Sequence, residues 1–187
     1  AILSNRQLAE QLDDFWFNHF NVFLDKGADR FLVPTYEREA IRPHVLGHFR
    51  ELLEATATSP AMLFYLDNWQ SAAPDTTRRG KGKQAARGLN ENYARELMEL
   101  HTLGVNGGYT QADVQELARI LTGLGVNVMQ NRPNVRAQLQ SQYVRDGLFE
   151  FNPARHDYGD KTLLGAVVRG RGLAEVDEAI DRLVRHS

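Results

Sequence analysis

The residues best equipped for chemistry are one carboxylate and two imidazoles. Projected at about 100° per residue, the opening segment sets His19 in the arc formed by Leu12, Phe15, Trp16 and Phe23. The same projection over residues 90–104 gives an apolar arc of Leu89, Tyr93, Leu97, Leu100 and Leu103, with Glu96 between Leu103 and Leu89. His101 falls at the arc's other edge, beside Ala94 and Leu97. An ionised carboxylate turned inward without a partner is expensive, so Glu96 needs a cation, a protonated histidine, several N–H donors or a metal. Two readings meet that need. In one, Glu96 belongs to a hydrogen-bonded core network that joins helices. In the other, Glu96, His19 and His101 are catalytic: Glu96 takes a proton from water while an imidazole orients it or holds a divalent ion, as in a hydrolase.

Other constellations are weaker. His44, His48 and Glu51 stand at i, i+4 and i+7, a spacing that lines up three metal ligands on one helix face, opposite Val45, Phe49, Leu52 and Leu53. A solvated polar face is the commoner meaning of that pattern, and the metal content stays open. Between Pro74 and Gly88 lie Arg78, Arg79, Lys81, Lys83 and Arg87 with a single acid. Such a loop can touch phosphate, but it carries no aromatic ring for base stacking, which argues against nucleic acid. Phosphate-binding loops, nucleophile elbows and EF-hand patterns are absent.

The elements that must position these residues follow from periodicity and punctuation. Leu8, Leu12, Phe15, Trp16, Phe20 and Phe23 recur at helical steps, which predicts a helix from Ser4 to about Leu24 with that face buried. Thr35 can cap a first turn carrying Glu37, and Pro43 suits the first turn of a helix continuing to about Ala57. Ser59-Pro60 starts a short helix ending near Asn68. Residues 72–88 read as a mobile basic loop. Asn90 or Asn92 caps a helix running to Gly104, and Thr110 with Asp113 forms a capping box for a helix over Gln111–Thr122. After Gly123 the texture changes to short apolar runs, and Asp146-Gly147 signals a hairpin turn. Lys161–Val168 suggests another strand, and Ala174–Arg185 an amphipathic closing helix.

The expected fold class is therefore mainly α, an irregular helical bundle with a small β-hairpin or ribbon after about residue 125. Its expected organisation is a helical core over 1–124, a ribbon-and-loop insertion over 125–170 and a final helix over 171–187, within one domain. The composition agrees: 187 residues, 42% hydrophobic and 25% charged, suit a globular chain with its own core. A formal charge of −2 gives no global attraction to polyanions, and the lack of cysteine rules out disulfides and thiolate chemistry without fixing a compartment. No apolar run approaches the ~20 residues of a membrane helix. Both ends break off inside amphipathic patterns, which suggests a piece of something longer.

Four stretches carry a resemblance: Asp14-Phe-Trp-Phe-Asn-His-Phe20, Pro60-Ala-Met-Leu-Phe-Tyr-Leu-Asp-Asn68, Gly88-Leu-Asn-Glu-Asn-Tyr-Ala-Arg-Glu-Leu-Met-Glu-Leu-His-Thr-Leu-Gly104 and Gly108-Tyr-Thr-Gln-Ala-Asp-Val114. With His156-Asp-Tyr-Gly-Asp-Lys-Thr-Leu-Leu-Gly165, they resemble the bacterial family catalogued as domain of unknown function 1800. One departure is Leu124, where the family pattern usually has tryptophan. The resemblance implies an exported protein, periplasmic or extracellular, longer than this chain, and it supplies no activity, substrate or cofactor. Two accounts of function stand beside it. The first is a helical structural or binding module for a protein or polymer partner, the flanks of its own chain included, with Asp67, Asn68, Asn90, Glu91, Glu96 and His101 organising the scaffold. The alternative is the hydrolase-like enzyme built on Glu96 with His19 or His101, with or without a divalent metal.

Overall fold

The computed structural model describes residues 4–73 and 88–186, so Arg78, Arg79, Lys81, Lys83 and Arg87 of the basic segment lie outside the described residues. The two edges of that segment are tied down: the Ala72 amide donates to the Gly88 carbonyl and the Ala73 amide to the Arg155 carbonyl.

Helix α1 spans Gln7–His19, shorter at both ends than the periodicity predicts. Its inner side is the predicted one only in part: Leu12, Trp16 and Phe20 pack on the core, joined by Ala9 and Phe17. Leu8, Phe15 and Phe23 are exposed, whereas Asp13 is buried because Arg42 reaches its carboxylate at 2.5 Å. A charged residue thus joins the inner side beside the apolar ones. The next segment corrects the expected helix start as well. Helix α2, Asp29–Tyr36, contains Pro34; a wide turn follows over Glu37–Ile41 and a tight one over Arg42–His44. Pro43 has no N–H for the carbonyl four residues earlier and its ring crowds that carbonyl, so the helix unwinds there instead of beginning. Helix α3 starts only at Phe49 and runs to Ala57.

Ser59, extended, leads into Pro60, whose fixed φ suits a first turn, and helix α4 runs Pro60–Tyr65. Helix α5 spans Asn92–Glu99, and helix α6 spans Gln111–Ile120 with its capping box complete: Asp113 N–H donates to the Thr110 hydroxyl while the Asp113 carboxylate accepts from Thr110 N–H. Gly123, at φ +88°, lies where an added Cβ would come within 2.9 Å of the Asn152 carbonyl, and it turns the chain into strand β1, Leu124–Val126. Strands β2, Val144–Asp146, and β3, Phe149–Phe151, complete an antiparallel sheet in the order β1-β3-β2, with both Leu124 and Val144 opposite Phe151. Strands β4, Lys161–Leu163, and β5, Ala166–Val168, form a second hairpin, and helix α7 closes the described chain over Ala174–His186.

About half of the chain is helical and the strands are short and antiparallel, so the class is mainly α. Apolar side chains from α2 through α7 and from the β segments share one buried cluster, including Tyr36, Leu53, Met62, Leu97, Leu117 and Leu183. Leu124, at the family's tryptophan position, is itself fully buried in that cluster. Among the described residues no helix is long and apolar enough to cross a membrane.

Candidate functional site

The first and last turns of a helix leave backbone groups without intrahelical partners, and the last carbonyls need donors from elsewhere when they are buried. That requirement explains several of the polar side chains between the helices. At the end of α4 three successive carbonyls are each met by a different side chain. The Lys26 ammonium donates to Tyr65, the Asn92 amide to Leu66 at 3.3 Å, and the Asn90 amide to Asp67 at 2.9 Å. Asp67, left-handed at φ 59°, also accepts from Lys26 at 3.0 Å through its carboxylate. Asn68, fully buried, donates to the carbonyls of Leu121 and Leu124, both at 3.1 Å, closing the end of α6. Tyr36 donates to the Phe20 carbonyl at the end of α1, and Tyr93 to the Ala57 carbonyl at the end of α3.

His19 and His101 come together, with ring centroids 6.3 Å apart and His19 Nε2 3.1 Å from the His101 carbonyl. His101 is buried against Phe20, and burial, with the His19 ring adding to it, pulls its pKa down to about 4. Glu96 is half-buried on the neighbouring turn. Burial and then Glu99 push its carboxyl upward, and Arg95 partly offsets them. Neither imidazole is among the charges acting on Glu96, and its carboxylate has no hydrogen bond or ion pair among the described residues. The reason lies in the helix end. Beyond Glu99 the amides of His101 and Leu103 reach back five residues, to Glu96 and Met98. This widened turn swings His101 inward; Tyr93, Ala94, Leu97 and Met98 form the buried side, and Leu100 is exposed, correcting the predicted arc.

His44, His48 and Glu51 do not share a helix face. His44 ends the tight turn, His48 is extended ahead of α3, and only Glu51 is helical. Among the described residues no group of three or more His, Asp or Glu is arranged to hold a metal ion.

The most enclosed polar cluster is one that the sequence reading left unassigned. Glu175, in the first turn of α7, accepts from the Arg171 and Gly172 amides at 2.5 and 2.8 Å, from His156 Nε2 at 2.9 Å and from Lys161 at 2.5 Å. The side chains of His156, Lys161 and Glu175 are completely enclosed. Burial pushes Glu175 up, but the bonds from His156 and Lys161 prevail and hold its carboxyl below the ordinary range. His156 Nδ1 lies 2.7 Å from the Thr122 carbonyl, so the ring bridges the end of α6 to the start of α7. The signal was present in the His156–Gly165 stretch, where a lysine takes the same face of a strand as Leu163, two residues on. Asp29 was also missed: it is fully buried with both carboxylate oxygens unpartnered, and burial lifts its pKa to about 7.

No curated protein and no solved structure matches the chain. The family model described as protein of unknown function (DUF1800) matches residues 1–187, and the chain belongs to that family.

Proposed function

We propose that the chain is a helical scaffold and binding module, an irregular bundle that offers its surface to a protein or polymer partner. The observation that supports this reading most directly is the end of α4, where Lys26, Asn92 and Asn90 each satisfy one carbonyl. Residues of the longest sequence motifs are thereby spent on holding segments together. Phe15, Phe23 and Phe31 stand exposed and supply apolar area for a partner. The hydrolase-like alternative draws support from the pairing of His19 with His101, but it needs Glu96 to join them, and the charges acting on Glu96 are those of Glu99 and Arg95.

Zinc tests the metal-holding form of the alternative. On the scaffold reading, added zinc leaves the denaturation midpoint unchanged, and Asn90→Ala costs about 1–2 kcal/mol through the orphaned Asp67 carbonyl. Stabilisation by zinc that disappears in His19→Gln would overturn it in favour of a metal-assisted pocket.

A further inference from the structure

We propose that the chain between β1 and β2 forms a binding site for a small, hydroxyl-rich carboxylate, of the size and kind of a single uronate sugar. Arg132, Pro133, Asn134, Val135, Gln140 and Tyr143 line a half-open surface cavity of about 280 Å³ there. That is near the lower end of ligand cavities, roughly 300–1,000 Å³, and suits one ring rather than a run of polymer.

The segment that lines it carries only positive charge, and it meets the acid Glu150 through Asn127 and Tyr143. From Leu117 to Arg145 the sequence holds Arg119, Arg132, Arg136 and Arg145 and no acid. Arg119 is committed to Asp157 and Glu116, and Arg145 to Gln130. Arg132 has no hydrogen bond or ion pair among the described residues and stands exposed at the cavity. A free guanidinium fork matches a carboxylate in a bidentate fashion.

The remaining lining answers the rest of such a ligand. Asn134 and Gln140 offer amides to hydroxyls, with the Gln140 Nε2 already given to the Val135 carbonyl and its Oε1 left to accept. Pro133, Val135 and the Tyr143 ring supply apolar faces for the sugar's C–H side. The aromatic wall is set in advance: the Tyr143 hydroxyl donates to Glu150 at 3.0 Å, Asn127 donates to the same carboxylate oxygen at 2.9 Å, and Glu150 is buried. A wall fixed before binding spares the ligand the cost of ordering it.

The test is a titration of the full chain with D-galacturonate, galactose and acetate, followed by amide chemical shifts. The expected result is saturable binding of galacturonate at about millimolar Kd with shifts on residues 132–143, and binding of galactose and acetate weaker by about tenfold or more. Arg132→Gln weakens galacturonate binding by about tenfold with an unchanged denaturation midpoint, while Arg30→Gln, an exposed arginine outside the cavity, leaves binding intact. The proposal falls if acetate binds as tightly as galacturonate, if Arg132→Gln binds like the parent, or if no saturable shift appears by about 50 mM.

Discussion

The Tyr93 hydroxyl, fully enclosed, donates at 2.9 Å to the carbonyl of Ala57, the last residue of α3. Tyr93→Phe keeps the ring and removes that donor, so the buried carbonyl loses its partner. The expected cost is about 1–2 kcal/mol in urea denaturation, with spectra otherwise unchanged. Glu96→Gln is expected to behave oppositely: burial and Glu99 already disfavour its charge, and no partner is lost, so stability at neutral pH holds or rises. A large loss there would mean that the carboxylate has a partner the described contacts lack. These two residues also mark how far the sequence could be read. That residues 93–101 turn polar groups inward was legible, because apolar spacing and an imidazole among leucines are visible in one dimension. Which group turns fully inward was not, because a fixed 100° step per residue fails where the last amides of α5 reach back five residues instead of four.

Among the elements, α6 and its capping box could be read in advance because Thr110 and Asp113 are neighbours in sequence and their bonds are local. The hairpin at Asp146-Gly147 was legible for the same reason, with Gly147 taking φ +54°. The junction of β4 with α7 was not, since it depends on Lys161 and Glu175 meeting across a hairpin and a turn. Neither residue is exposed, so removing one takes away a charged partner that the other meets in the interior, leaving Glu175 with His156 and two amides, or Lys161 with the Asp157 carbonyl. Lys161→Met and Glu175→Gln are each expected to cost about 3–5 kcal/mol. The double variant Lys161→Met with Glu175→Gln should lose clearly less than the two costs added, because the loss of the Lys161–Glu175 contact is then counted once. Additive losses would show that the pair is not coupled and that each side chain acts only through its own backbone contacts.

Across the whole molecule, two buried groups on different elements pull the pH dependence of stability in opposite directions. His101, with a pKa lowered to about 4 from 6.5, binds a proton in the unfolded chain before it can in the folded one. Its contribution is complete above pH 6.5 and is lost as pH falls toward 4. Asp29, raised by burial from 3.8 to about 7, keeps its proton in the folded chain after the unfolded one has released it. Its contribution is complete below 3.8 and is lost as pH rises toward 7. The two windows overlap almost completely, so between about pH 4.5 and 6.5 one proton gained offsets one proton lost, and these groups together leave stability nearly level. Removing either should expose the other. Asp29→Asn, which copies the neutral acid, should make stability climb with pH by up to about 1.4 kcal/mol per unit in that window, and His101→Gln should make it fall at a similar rate. The slope is the measurement, taken from denaturation at several pH values, so a constant loss from repacking at either position does not affect it. Both variants running parallel to the parent would mean that Asp29 and His101 titrate alike in the folded and unfolded chain, and that burial at the two sites is not what sets their charge.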